Sequence, residues 1–192
     1  MLINGSPYGV VTGSDGALWF TLVHQGQIGR VVPGEDPTIF QLDPADGRPT
    51  VITVGHDGSL WYTEFVGGRI GRITLDGTIT AFEVKSSYGI VAGPDGAMWF
   101  TQLQGDRIGR ITAAGEVTLH PLPTEGAMPS AIAAGPDGAL WFTEWGIGRL
   151  GRITTEGEIE EYPLEGAEPH GLTVGPDGAI WVAMESGALV RS

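Results

Sequence analysis

The sequence predicts an all-β protein, a β-propeller of five four-stranded blades, and three observations predict it. A tryptophan unit recurs five times, as SDGALWFT (14–21), HDGSLWYT (56–63), PDGAMWFT (94–101), PDGALWFT (136–143) and PDGAIWVA (176–183). Its tryptophans, Trp19, Trp61, Trp99, Trp141 and Trp181, lie 42, 38, 42 and 40 residues apart, a period that marks a repeat architecture. Glycine supplies 32 of 192 residues without a collagen period, which points to many tight turns needing positive φ. The third observation is the pattern inside each unit, where short runs with period-2 aromatics alternate with turn signals.

The fourth copy gives the elements in order. The first strand, SAIAAG (130–135), is small and apolar, suited to a crowded axis, and the second, ALWFTE (139–144), alternates its aromatics. The third is RLGRIT (149–154); the fourth, EIEEYPL (158–164), alternates as an outer strand with one wet side does. GPDG and TTEG turns separate them, with Pro setting φ, Asp bonding its own backbone and Gly taking the left-handed conformation. Four antiparallel strands per unit, repeated radially, make a propeller blade. Fourth strands TIFQL, TITAFEV, EVTLHPL and EIEEYPL follow the first four tryptophan units, whereas the last unit runs only to ALVRS. That leaves MLIN at 1–4 to complete the fifth blade as a short closing strand. Residues 1–192 then form a single domain, monomeric if the ring closes; an open ring exposes strand edges and self-associates.

Ten Lys and Arg against 23 Asp and Glu leave a net charge of −13, which argues against nucleic acid or an anionic membrane surface as partner. A cation or a neutral small molecule is easier to accommodate. Cysteine is absent, so disulfides and thiolate metal sites are excluded. The opening MLINGSPYG shows no basic or apolar leader pattern, and the expectation is a cytoplasmic protein.

Most conspicuous residues read as structural. Asp95, Asp137 and Asp177 are turn residues, the repeated tryptophans are core, and Arg30, Arg72, Arg110 and Arg152 recur at one place in the third strand as ion-pair or solvated positions. His56 and His120 fall on a far-face turn and an outer strand. The strand order sends the four-to-one and two-to-three connections to one face, which therefore carries Glu168, His170 and Glu185 together with Tyr8, His24, Glu64, Ser130, Glu144 and Trp145. Two carboxylates and an imidazole can hold a hard divalent cation and a general base. On spacing alone, the same residues also read as exposed loop carboxylates and a histidine lining the mouth.

The chain resembles the virginiamycin B lyase family, the streptogramin lyases. The resemblance is carried by the repeated GPDGALWFTE, RIGRIT and GEIEEYPL segments, by SPYG near the start, by LWFTEWG, and by AEPHG followed by IWVAME. It implies a propeller enzyme that linearises a cyclic depsipeptide antibiotic by elimination, using magnesium. It further implies Glu168 and Glu185 as magnesium carboxylates, His170 as general base and Tyr8 as an aromatic at the substrate cleft; Ser130, Glu144 and Trp145, on the same face, complete the substrate-binding candidates. The chain departs from the family pattern in having five units rather than seven, and in Ser130, which stands where the family carries a second active-site histidine. A serine cannot replace an imidazole as acid or base at neutral pH. The alternative is accordingly a non-catalytic propeller, or a shortened or engineered one, acting as a binding module or scaffold.

Overall fold

A computed structural model describes residues 5–192. The chain forms two compact units, one ending at Ile90 and the other beginning at Val91. The first unit contains β1 (Pro7–Thr12), β2 (Leu18–Leu22), β3 (Gln27–Val31) and β4 (Thr38–Gln41) in one sheet, then β5 (Pro49–Val54), β6 (Leu60–Glu64), β7 (Arg69–Ile73) and β8 (Ile79–Glu83) in a second. β9 (Ser87–Ala92) contains the boundary, and its sheet continues with β10 (Met98–Gln102), β11 (Arg107–Ile111) and β12 (Val117–Pro121). The second unit goes on with β13 (Pro129–Ala134), β14 (Leu140–Glu144), β15 (Arg149–Ile153) and β16 (Ile159–Pro163). It finishes with β17 (Pro169–Val174), β18 (Ile180–Met184) and β19 (Leu189–Arg191).

Every sheet is a meander in chain order, as expected of propeller blades, and the fifth has three strands among the described residues. The closing strand expected at MLIN lies outside the described residues. No α-helix occurs among the described residues, and no helix is long and apolar enough to cross a membrane.

One corner repeats in all five sheets and explains the DG…W…R spacing. In the fourth, Asp137 Oδ1 accepts from Trp141 Nε1 at 3.1 Å and from Ala139 N at 3.3 Å, while Oδ2 accepts from Arg152 Nε at 2.7 Å. Cross-strand register brings the partners together, since Trp141 lies opposite Arg152. The fourth strand then lays a ring on the tryptophan: Phe40 on Trp19, Phe82 on Trp61, His120 on Trp99 and Tyr162 on Trp141, with centroids 5.6–5.7 Å apart. The turn aspartates and third-strand arginines are thus structural, as their recurrence predicted.

The core of the first unit gathers Trp19, Ile28, Leu60, Tyr62 and Ile73; that of the second gathers Trp99, Ile108, Leu140, Phe142 and Ile153. The glycine inside the third strand of each four-stranded sheet has a packing reason. A Cβ on Gly151 would stand 2.1 Å from the Phe142 ring, so RLGRI leaves room for the aromatic of the second strand.

Candidate active site

The first strand of a sheet carries a β-bulge near its start. In β17 the register runs Pro169 opposite Met184, then Leu172 opposite Val182, so His170 and Gly171 together face Ala183. β1, β5 and β13 show the same irregularity. A bulge re-aims the side chain it carries. The bulge position is Tyr8 in β1, Thr50 in β5, Ser130 in β13 and His170 in β17, and alignment of SPYG with SSYG puts Tyr88 at the matching place in β9.

Threonines of the second strands hold these bulges. Thr143 Oγ1 accepts from Ala131 N at 3.0 Å and donates to the His170 carbonyl at 3.0 Å; in the first unit Thr21 accepts from Gly9 N and donates to the Thr50 carbonyl at 2.7 Å. Thr63 donates to the Tyr88 carbonyl, and Thr101 to that of Ser130. The backbone under His170 is therefore fixed by a buried side chain of the preceding sheet.

At the same end of the fifth sheet, Glu168 takes the left-handed conformation at φ 57°, which Arg48, Ser86 and Met128 share ahead of their own first strands. The repetition marks this conformation as part of the architecture. Glu168 C=O accepts from Glu185 N at 3.0 Å, so the two carboxylates hang from joined backbone positions. His170 Nε2 lies 3.8 Å from Glu185 Oε1, with both side chains about half exposed. Beside them runs a groove of about 340 Å³ whose walls are the turn Trp145–Gly148 and the segment Gly166–Glu168. The structure thus groups Glu168, His170, Glu185 and Trp145 at one end of the second unit.

Two residues expected on the cleft surface are buried. Ser130 is 5 % exposed and its hydroxyl shares a hydrogen bond with Thr143 Oγ1 at 2.9 Å, because the bulge tucks this short side chain under the strand. Glu144 is fully buried, since it faces inward at the end of β14. Burial and the neighbouring Glu161 push its carboxyl up to about 8. Glu64, at the same place in the first unit, is also buried and holds Arg69 through Nε at 3.1 Å and Nη2 at 2.5 Å. Tyr8, also in the first unit, is 56 % exposed, and its hydroxyl lies 3.0 Å from that of Tyr88. Burial and this contact push the Tyr88 hydroxyl up to about 12. Phe65 meets the Tyr88 ring edge-on at 5.9 Å. Tyr88 and Phe65 escaped the sequence reading, although SSYG repeats SPYG and the phenylalanine of TEF stands where TEW has Trp145.

The donor set at Glu168 and Glu185 fits a small hard dication, which is commonly held by one or two carboxylates with water completing the shell. Among the described residues no three His, Asp or Glu side chains are gathered so as to hold a metal by themselves. Water and a bound ligand would have to supply the remaining oxygens.

Blades built on a repeated Asp–Trp–Arg corner, with an imidazole and two carboxylates at one sheet end, define a repeat protein of the β-propeller class. The profile of the virginiamycin B lyase family matches residues 2–164 and 138–192, and the chain belongs to that family. Among solved structures, one described as a streptogramin B lyase is 40 % identical with a TM-score of 0.90, over 97 % of this chain and 65 % of its own. A catalytically inactive histidine-to-alanine virginiamycin B lyase from Staphylococcus aureus, with quinupristin, is 41 % identical with a TM-score of 0.92, over 100 % of this chain and 68 % of its own. The virginiamycin B lyase of Saccharopolyspora erythraea is 59 % identical over 39 residues, 20 % of this chain and 13 % of that protein. The chain thus spans about two thirds of the length of the structures it matches.

Proposed function

We propose that the protein is a magnesium-dependent carbon–oxygen lyase that opens the lactone of a cyclic depsipeptide of the streptogramin B type by elimination. The observation that carries the reading is the grouping of Glu168, His170 and Glu185 at one sheet end beside the Trp145 groove. His170 Nε2 takes the proton from the carbon next to a carbonyl. The electrons left behind form a carbon–carbon double bond as the carbon–oxygen bond breaks, and the ester oxygen leaves as a carboxylate. Glu185, 3.8 Å from Nε2, stabilises the imidazolium that results. Glu168 and Glu185 would hold magnesium, which when bound would supply Lewis acidity to the reaction. Trp145 offers an apolar wall to the ligand.

Incubation with magnesium and quinupristin, followed by mass spectrometry, tests this reading. A linear product of unchanged mass is expected; gain of one water means hydrolysis and overturns the mechanism. His170→Ala should lower kcat/KM by about 10²–10⁴-fold. A second reading, ligand binding without turnover, is favoured by Ser130, which leaves one bulge without the imidazole implied by the family resemblance. Calorimetric binding with no product would select it.

A further inference from the structure

Glu144 is a buried ionisable group that the proposed chemistry does not use. It is fully buried, and among the described residues neither carboxylate oxygen has a partner in good hydrogen-bond geometry, the Glu161 carboxyl being the side chain close enough to act on it. Its counterpart Glu64 has Arg69. Arg149 lies opposite Glu144 in register, yet its Nη1 goes to Glu161 Oε2 at 2.7 Å and to Thr124 Oγ1 at 3.1 Å. Glu161 faces Gly151 where the second sheet has Ala81 facing Gly71; Arg69 has Glu83 opposite it instead, and still bonds Glu64.

A second substitution closes the alternative position. Gly47 in the first unit lets Glu64 approach, since a Cβ there would stand 1.6 Å from Glu64 Oε2. Ala127 occupies the matching place in the second unit and carries that Cβ. Glu144 is therefore stranded by two identifiable residues.

What lies over it is the groove wall. Gly148 N and Ile147 N bond the Glu144 carbonyl at 3.0 and 3.3 Å, Gly146 N bonds the Ala127 carbonyl at 3.0 Å, and Trp145 N that of Met128 at 3.3 Å. A Cβ on Gly146 would come within 2.1 Å of the Gly126 carbonyl oxygen, so the turn lies flat on that segment. Asp106 anchors the segment by accepting from Gly126 N at 2.8 Å and Met128 N at 2.9 Å. The charged groups acting on Glu144 are Glu161 on β16 and Asp106 on the turn after β10, both opposing ionisation, and Arg149 on β15, favouring it. Pro129 opposite it on β13 is uncharged.

We propose that Glu144 is a proton-dependent positioning residue: neutral, it seals the packing beneath the Trp145–Gly148 turn and keeps that groove wall in place, and ionised, it drives the turn outward. A carboxylate without a partner in this space must recruit water, and the turn that follows it directly in the chain is bonded to its own backbone carbonyl. The consequence for ligand binding rests on the groove assignment made under the proposed function; the movement itself does not.

The test uses the full chain labelled with 5-fluorotryptophan and no substrate. Fluorine NMR resolves the tryptophans, and Trp145→Phe assigns the one of interest. The Trp145 resonance should move or broaden through a one-proton transition with a midpoint near pH 8, and should be flat with pH in Glu144→Gln. A flat resonance in the unsubstituted protein, or a transition that persists in Glu144→Gln, overturns the proposal. Should Glu144→Gln not fold, Glu161→Gln serves instead: removing the charge that opposes ionisation must lower the midpoint, and an unchanged or raised midpoint overturns the proposal. Failure to turn over quinupristin would sink only the lyase reading, since this readout needs no catalysis.

Discussion

His170 owes the anchoring of its backbone to a hydroxyl three strands earlier in the chain and one sheet away in space. Thr143 satisfies Ala131 N, Ser130 and the His170 carbonyl through one buried oxygen, so it ties two bulges together. Thr143→Val keeps the shape and removes that oxygen. The expected loss is about 1–3 kcal/mol in urea unfolding, from buried polar groups left without partners. If His170 is the base, kcat should fall more than KM rises, because the imidazole would be less well held. At this scale the sequence revealed less than at any other. SSYG beside SPYG held the signal that pairs Tyr88 with Tyr8, although it went unread, but nothing in the letters told that Ser130 and Glu144 point inward while His170 points out. That difference depends on the bulge and on which groups already fill the space.

At the scale of the sheet, the third-strand glycine is a packing device with a checkable cost. Gly151→Ala places a methyl 2.1 Å from the Phe142 ring, in a wholly buried position. Overpacking of this kind costs about 1–3 kcal/mol, and Phe142→Leu in the same chain should recover part of it in urea melts. The fifth sheet lacks a fourth strand among the described residues, and Trp181 has no ring laid upon it as the other four have. Leu189 is accordingly 64 % exposed, whereas Leu150 at the same place in the fourth sheet is fully buried. Backbone amides of β19 should exchange hydrogen faster than those of β15, as measured by exchange mass spectrometry. Strand limits were legible almost to the residue, because each turn is written in Asp, Gly and Pro.

For the whole molecule, two sets of carboxyls pull stability in opposite directions with pH. Burial pushes Asp15, Asp57, Asp95 and Asp137 up, but bonds from the corner arginine, tryptophan and backbone hold them lower overall. Asp177, bonded by Arg191, falls to about 2. Depressed carboxyls stabilise above their unfolded value of 3.8, and that contribution is lost as pH falls below it. Glu64 and Glu144 are raised, chiefly by burial, so stability is greatest below 4.5 and declines above it, for Glu144 until about pH 8. The net charge of −13 adds self-repulsion on the alkaline side. Thermal melts across pH should therefore peak near pH 5. Glu144→Gln should match the unsubstituted protein there and exceed it at pH 8 by on the order of 2–4 kcal/mol, because it removes a proton-linked penalty.

The sequence by itself determined the repeat, the strand order, the turn chemistry and the corner of Asp, Trp and Arg, because these depend on neighbours within a single forty-residue unit. It also put Glu168, His170 and Glu185 at one end of one sheet, since the meander carries both connections of that sheet to the same end. Only the tertiary structure decided the environment of each. Glu64 is paired and Glu144 stranded although both end a WxTE strand, because Ala127 and Glu161 approach from elsewhere in the chain and decide where Arg149 and the carboxylate can go.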